Sequence, residues 1–119
     1  MARRDEELPI IHEYYEFLVW FTPKVGKFPR EQRFTLGERV ELVLYRALEL
    51  LIRARYAQEK IPLLDQLNVE LEVLRFQLRL AKDLNCLPLK AYGDASQKLL
   101  SIGKQLGGWR KQQERKSRP

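Results

Sequence analysis

Apolar positions recur at helical spacing in four stretches separated by short breaks. The first runs from about residue 8 to 27. Pro9 suits an opening turn, and Ile11, Tyr14, Tyr15, Leu18, Phe21 and Val25 share one face. Phe17 and Trp20 fall on the other side. Pro23 and Gly26 are expected to kink or weaken the end of this helix. The second stretch, about 35–58, follows a break containing Pro29. Thr35 and Glu38 fit a capping box, in which each side chain satisfies a backbone N–H at a helix start. Leu36, Val40, Val43, Ala47, Leu50 and Ala54 form its stripe.

The third stretch, about 61–84, carries two stripes. Leu64, Leu67, Leu71, Leu74, Leu78 and Ala81 step by three and four, giving one seam. Val69, Val73, Phe76 and Leu80 form a second, nearly opposite the first at about 100° per residue. A helix at the rim of a small bundle needs one apolar face. The second face therefore points to contact with another subunit, and Val69, Val73, Phe76 and Leu80 are the candidate oligomer interface. The fourth stretch, about 88–107, starts at Pro88 and buries Tyr92, Ala95, Leu99, Ile102 and Leu106. Gly103 lies on this stripe and allows close approach. Gly107 and Gly108 are expected to end the helix, with Trp109 folding back and a basic tail over 109–119. Four amphipathic helices with short turns predict one all-α domain over 1–119, an antiparallel up-down-up-down four-helix bundle.

Composition narrows the chemistry. The chain has 119 residues, enough for one domain with a real core. One cysteine, Cys86, excludes an intrachain disulfide and a cysteine-based zinc site within one chain. A lone His12, beside Glu13 and Glu16, reads as a surface or interface histidine, and Cys86 as a small buried apolar side chain. No Gly-rich phosphate loop, metal-ligand spacing or nucleophile constellation occurs. No catalytic residue, metal ligand or cofactor is therefore assigned, and a non-enzymatic role is expected. The start of the chain turns acidic straight after two arginines, unlike a secretory signal. No apolar run approaches a membrane span. A soluble cytoplasmic protein without a membrane partner is expected.

Charge changes the picture further. The formal net charge is +6 and the pI about 9.6, with residues 1–23 net acidic and the positive charge gathered behind them. Four cations, Lys24, Lys27, Arg30 and Arg33, surround the break after the first helix. Arg39, Arg46 and Arg53 recur every seventh residue along the second helix. Arg75, Arg79 and Lys82 edge the third, and Arg110 and Lys111 open the tail. The two helix-edge sets read either as a solvated surface paired with nearby Glu41, Glu49, Glu72 and Asp83, or as phosphate-neutralising groups. The set at the break, opposed locally only by Glu31, is a candidate for contact with RNA or an acidic partner surface, and the tail reads either as a solvated end or as an arm for polyanions. Trp20 and Phe17 read as packing against a neighbouring subunit rather than as base-stacking groups, because no basic residue lies among the aromatics.

Four segments carry a family resemblance: LPIIHEYYEFLVWF, KFPREQRFTLGERVE, LEVLRFQLRLAKDL and LLSIGKQLGGWRK. In this order, over 8–111, the chain resembles the accessory variability determinant (Avd) proteins of diversity-generating retroelements. The FPR-x-QRFTLG segment is the most distinctive, followed by IG-x-x-LGGW. A looser likeness extends to four-helix-bundle proteins encoded in ribosomal RNA intervening sequences. The Avd resemblance implies a homopentameric barrel with a basic surface. It further implies binding to the retroelement reverse transcriptase, to RNA and to DNA. The role implied is support of mutagenic copying of a template RNA, in which adenines are read inaccurately and the polymerase chemistry belongs to the partner. The alternative is a structural or interaction bundle of the intervening-sequence type without a dedicated nucleic-acid partner.

Overall fold

A computed structural model of the chain describes residues 8–117. Four long helices carry the core: α1 (Pro9–Val25), α2 (Glu38–Tyr56), α3 (Ile61–Asp83) and α4 (Leu89–Lys116). No strand occurs among the described residues. α3 packs most extensively on α2 and next on α4, while α1 lies against α2 and α4. The result is an elongated body of 52 × 26 × 22 Å.

The seams meet in one core. Every residue of the first α3 stripe, Leu64 to Ala81, is buried. Val40, Val43, Ala47, Leu50 and Ala54 of α2 are buried with it, joined by Leu44 and Leu51. Leu36, ahead of α2, packs on the core half-buried. On α1 the buried face is Ile10, Tyr14, Phe17, Leu18, Phe21 and Val25. Phe17 thus belongs to the core, and Tyr15 does not, being 57 % exposed. The expected face was rotated by about one position because Ile10 and Phe17, not Ile11 and Tyr15, complete the helical step. The Tyr14 hydroxyl donates to the Leu44 carbonyl at 2.7 Å, giving the one polar atom of that ring a partner inside the core. Burial pushes its ionisation well above the ordinary tyrosine value.

Several ends differ from the sequence expectation. Pro23 sits in the last turn of α1, which still reaches Val25. The helix leading into α2 begins at Arg30, not Thr35. Pro29 opens it, accepting from the amide of Arg33 at 2.9 Å, and one turn at Arg30–Gln32 runs into a π-helical segment, Arg33–Gly37. Thr35 is therefore inside helical backbone and makes no capping box. Its hydroxyl instead donates to the Glu31 carbonyl at 3.1 Å. α2 ends under Lys60, whose ammonium donates to the carbonyls of Ala54, Arg55 and Ala57 at 2.7–2.8 Å. α3 ends in a Schellman turn. Asn85 takes a left-handed backbone (φ 62°), its amide bonds Lys82 O, and the amide of Cys86 bonds Ala81 O at 2.8 Å. Cys86 and Leu87 are buried behind it.

The largest difference is α4. It passes through Gly107 and Gly108 and ends at Lys116, so the basic segment from Trp109 to Lys116 is helix rather than tail. Arg118 and Pro119 lie outside the described residues. Each glycine costs a helix about 1 kcal/mol against alanine, but both face open space. The apolar step Leu99, Ile102, Leu106 continues to Trp109, which is 6 % exposed. Burying an indole outweighs the glycine cost. Beyond it, Arg110 bonds Asp65 of α3 and Glu114 one turn on, at 3.2 and 2.9 Å. Gly103 serves a close approach as expected, but of a side chain: a Cβ there would lie 2.6 Å from Nη2 of Arg75.

Candidate nucleic-acid interface

Phe28, 2 % exposed, anchors the bend between α1 and α2 in the core. Gly37 is buried under it: a Cβ at this position would press on Val25 Cγ1 at 3.3 Å and on the Gln32 carbonyl at 3.4 Å. The π-helical turn and the glycine together let the start of α2 fold down onto the end of α1. A π turn widens the helix by one residue and is common at functional sites. The FPREQRFTLG motif thus builds this corner, and it projects Lys24, Lys27, Arg30 and Arg33 around it. Arg33 donates to the Gly26 carbonyl at 3.2 Å and lies over the Phe34 ring. Its guanidinium therefore also caps the end of α1. Lys27 and Arg30 are exposed, with no carboxylate partner among the described residues.

The arginines of α2 divide. Arg46 is bound to Glu70 of α3 at 3.2 Å. Arg39 and Arg53 are exposed and make no ion pair among the described residues. The α3 edge divides likewise. Arg75 pairs with Glu72 at 3.0 Å and Lys82 with Asp83 at 3.2 Å, whereas Arg79 is exposed without such a partner. Arg110 is held by Asp65 and Glu114, and its hydrogen bond keeps the Asp65 carboxyl below its ordinary range. Lys111 stands exposed on the extended α4. The sets named from sequence therefore sort into tethered cations (Arg46, Arg75, Lys82, Arg110) and cations open to an external anion.

One grouping was not visible in the sequence. Lys98 of α4 lies 5.0 Å from the centroid of the Trp20 ring, and Lys24 lies 4.4 Å from it. Trp20 thus has two basic neighbours, Lys24 one turn on in its own helix and Lys98 brought by tertiary packing from a helix at the other end of the chain. His12 pairs with Glu16 at 3.2 Å on the exposed side of α1. Burial raises the Cys86 thiol, which leaves it a packed apolar group rather than a nucleophile. No helix among the described residues is long and apolar enough to cross a membrane.

The second stripe of α3 stands in solvent: Val69, Val73, Phe76 and Leu80 are 41–60 % exposed. Leu42, Tyr45 and Tyr56 of α2 are also exposed. This is more large apolar surface than a bundle of this size needs to show.

A family model described as bAvd-like matches residues 9–113. The chain belongs to the bAvd-like family. The match spans all four helices, including the FPREQRFTLG corner and the α4 extension as far as Gln113. No curated protein matches the chain.

Proposed function

We propose that this chain is a non-enzymatic, nucleic-acid-binding accessory protein of a diversity-generating retroelement. It binds the reverse transcriptase and the template RNA in the cytoplasm and supports mutagenic cDNA synthesis, with DNA as a further ligand. The observation that carries the reading is membership of the bAvd-like family across residues 9–113. The open cations Lys27, Arg30, Arg39, Arg53, Arg79 and Lys111 supply charge for phosphate contacts. In this reading the bundle is antiparallel, up-down-up-down, and assembles through Val69, Val73, Phe76 and Leu80 into a homo-oligomeric ring, a pentamer as in Avd proteins. A ring multiplies a modest basic edge into a large positive surface.

The tethering of Arg46, Arg75, Lys82 and Arg110 favours a second reading, a structural bundle of the intervening-sequence type whose charges are satisfied internally. RNA affinity measured over a range of salt separates the two. Counterion release gives a linear fall of log affinity with log salt, and loss of one phosphate contact flattens the slope by about 0.7 to 0.9. Arg79→Ala and truncation after Lys111 are expected to flatten it. Arg30→Ala with Arg33→Ala is expected to weaken capture of the cognate reverse transcriptase or its RNA while helicity is kept. Salt-independent affinity, with full partner capture by the double variant, would leave the structural reading standing.

A further inference from the structure

Trp20 is placed like a recognition group rather than a core residue. Its inner side packs on Phe17 and Phe21, with ring centroids 6.1 Å away in each case, so its orientation is fixed by the core. Its outer side reaches the surface between α1 and α4. There it meets two ammonium groups, Lys24 from its own helix and Lys98 from α4. Neither lysine has a carboxylate partner among the described residues. Each is attracted to the indole, and the described carboxylates that share a hollow with them, Glu13 and Glu16 with Lys98 and Asp83 with Lys24, are bonded instead to Gln105, His12 and Lys82. The adjoining acid, Asp94, is occupied by Lys90 at 3.2 Å.

Two open hollows lie near these groups, one lined by the Trp20 ring and one by Lys24. One, of about 710 Å³, lies between Trp20, Gly93 and Lys98. The other, of about 770 Å³, lies beyond Lys24 and is edged by Lys27 and Lys82. The first is a groove with Trp20 and Lys98 in its wall, and the second sets Lys24 beside Lys27, Lys82 and Asp83.

We propose that this groove binds single-stranded nucleic acid, with one base stacked against Trp20 and the flanking phosphates held by Lys24 and Lys98. The inference rests on the nucleic-acid reading above and gives it a location and a strand preference. The pairing of a fixed aromatic ring with flexible cations is the chemistry of single-strand binding, where every base offers a π-face and no sequence is read. A duplex keeps its base faces covered, so it can use the lysines but not the ring. In the unliganded protein the lysines rest on the indole, and a phosphate draws them off as the base arrives.

Trp20 can report on its own ligand. The chain has two tryptophans, and Trp109→Phe leaves Trp20 as the sole indole. In that background, an oligoadenylate of about 12 nucleotides is expected to quench the emission saturably. The same strand annealed to its complement should quench it far less at equal salt. Lys24→Gln with Lys98→Gln, and separately Trp20→Leu, should each weaken single-strand binding about fivefold or more. Trp20→Leu should change duplex binding little. If Trp20→Leu fails to fold, the emission titration and the surface lysine pair still decide. Bound single strand with unchanged Trp20 emission, or equal affinities in wild type and the lysine pair, would overturn this groove and leave the broader function intact. Absence of any nucleic-acid binding by the wild-type chain would overturn both.

Discussion

Phe76 sits in the outward stripe of α3 and is 59 % exposed, so the fold of one chain asks little of it. A phenylalanine carries about 200 Å² of surface, which leaves about 120 Å² for a partner subunit to cover. At about 25 cal/mol per Å² that burial contributes about 3 kcal/mol to each interface, an upper value before the costs of association. Phe76→Ala should therefore weaken subunit affinity by up to roughly 100-fold. Phe76→Glu should act more strongly, since it adds a carboxylate that loses water without gaining a partner. Because the side chain is exposed in the single bundle, neither change should reduce helicity. Multi-angle light scattering at micromolar concentration reads the mass, and far-UV circular dichroism reads the fold. The expected result is an oligomer for wild type and a helical protein of single-chain mass for Phe76→Glu. An unchanged mass would refute the reasoning and place the subunit contact elsewhere.

Three further outcomes follow from particular contacts. Gly107→Ala and Gly108→Ala meet open space, so each should stabilise α4 by up to about 1 kcal/mol and raise the melting temperature by a few degrees; a lower melting temperature would mean that these residues are not helical. Tyr14→Phe removes the donor to Leu44 O and should cost about 0.5–1.5 kcal/mol in denaturant titration, whereas unchanged stability would show that bond to be without net effect. The lowered Asp65 carboxyl gains stability from Arg110 that is fully present well above its ordinary value of 3.8 and is lost as pH falls through the lower folded value. The stability gap between wild type and Asp65→Asn should therefore be flat near neutrality and close in acid, and a gap that persists in acid would assign the effect to something other than this charge.

Periodicity alone determined that there are four helices and where the seams of α2, α3 and α4 run, missing only the α1 face by about one position, because a helix of this kind must bury one stripe and the stripe is written in steps of three and four. The α3 seam from Leu64 to Ala81 was readable residue by residue, and so was the surplus stripe opposite it. Local signals did less well at the ends, where several small energies compete. Thr35 and Glu38 spell a cap, yet Pro29 starts the helix a turn earlier and Gly37 packs closely on Val25 and the Gln32 carbonyl. Gly107-Gly108 spell a stop, yet burial of Trp109 and the tie from Arg110 to Asp65 outweigh the glycine cost. The charges were legible as types and not as states. Nothing in the spacing of Arg46 and Arg39 says that one meets Glu70 and the other meets solvent, since an ion pair across two helices depends on their register. The meeting of Lys98 with Trp20 was likewise decided by tertiary structure alone: the two residues come from opposite ends of the chain, and only the packing of α4 on α1 sets a cation beside that ring.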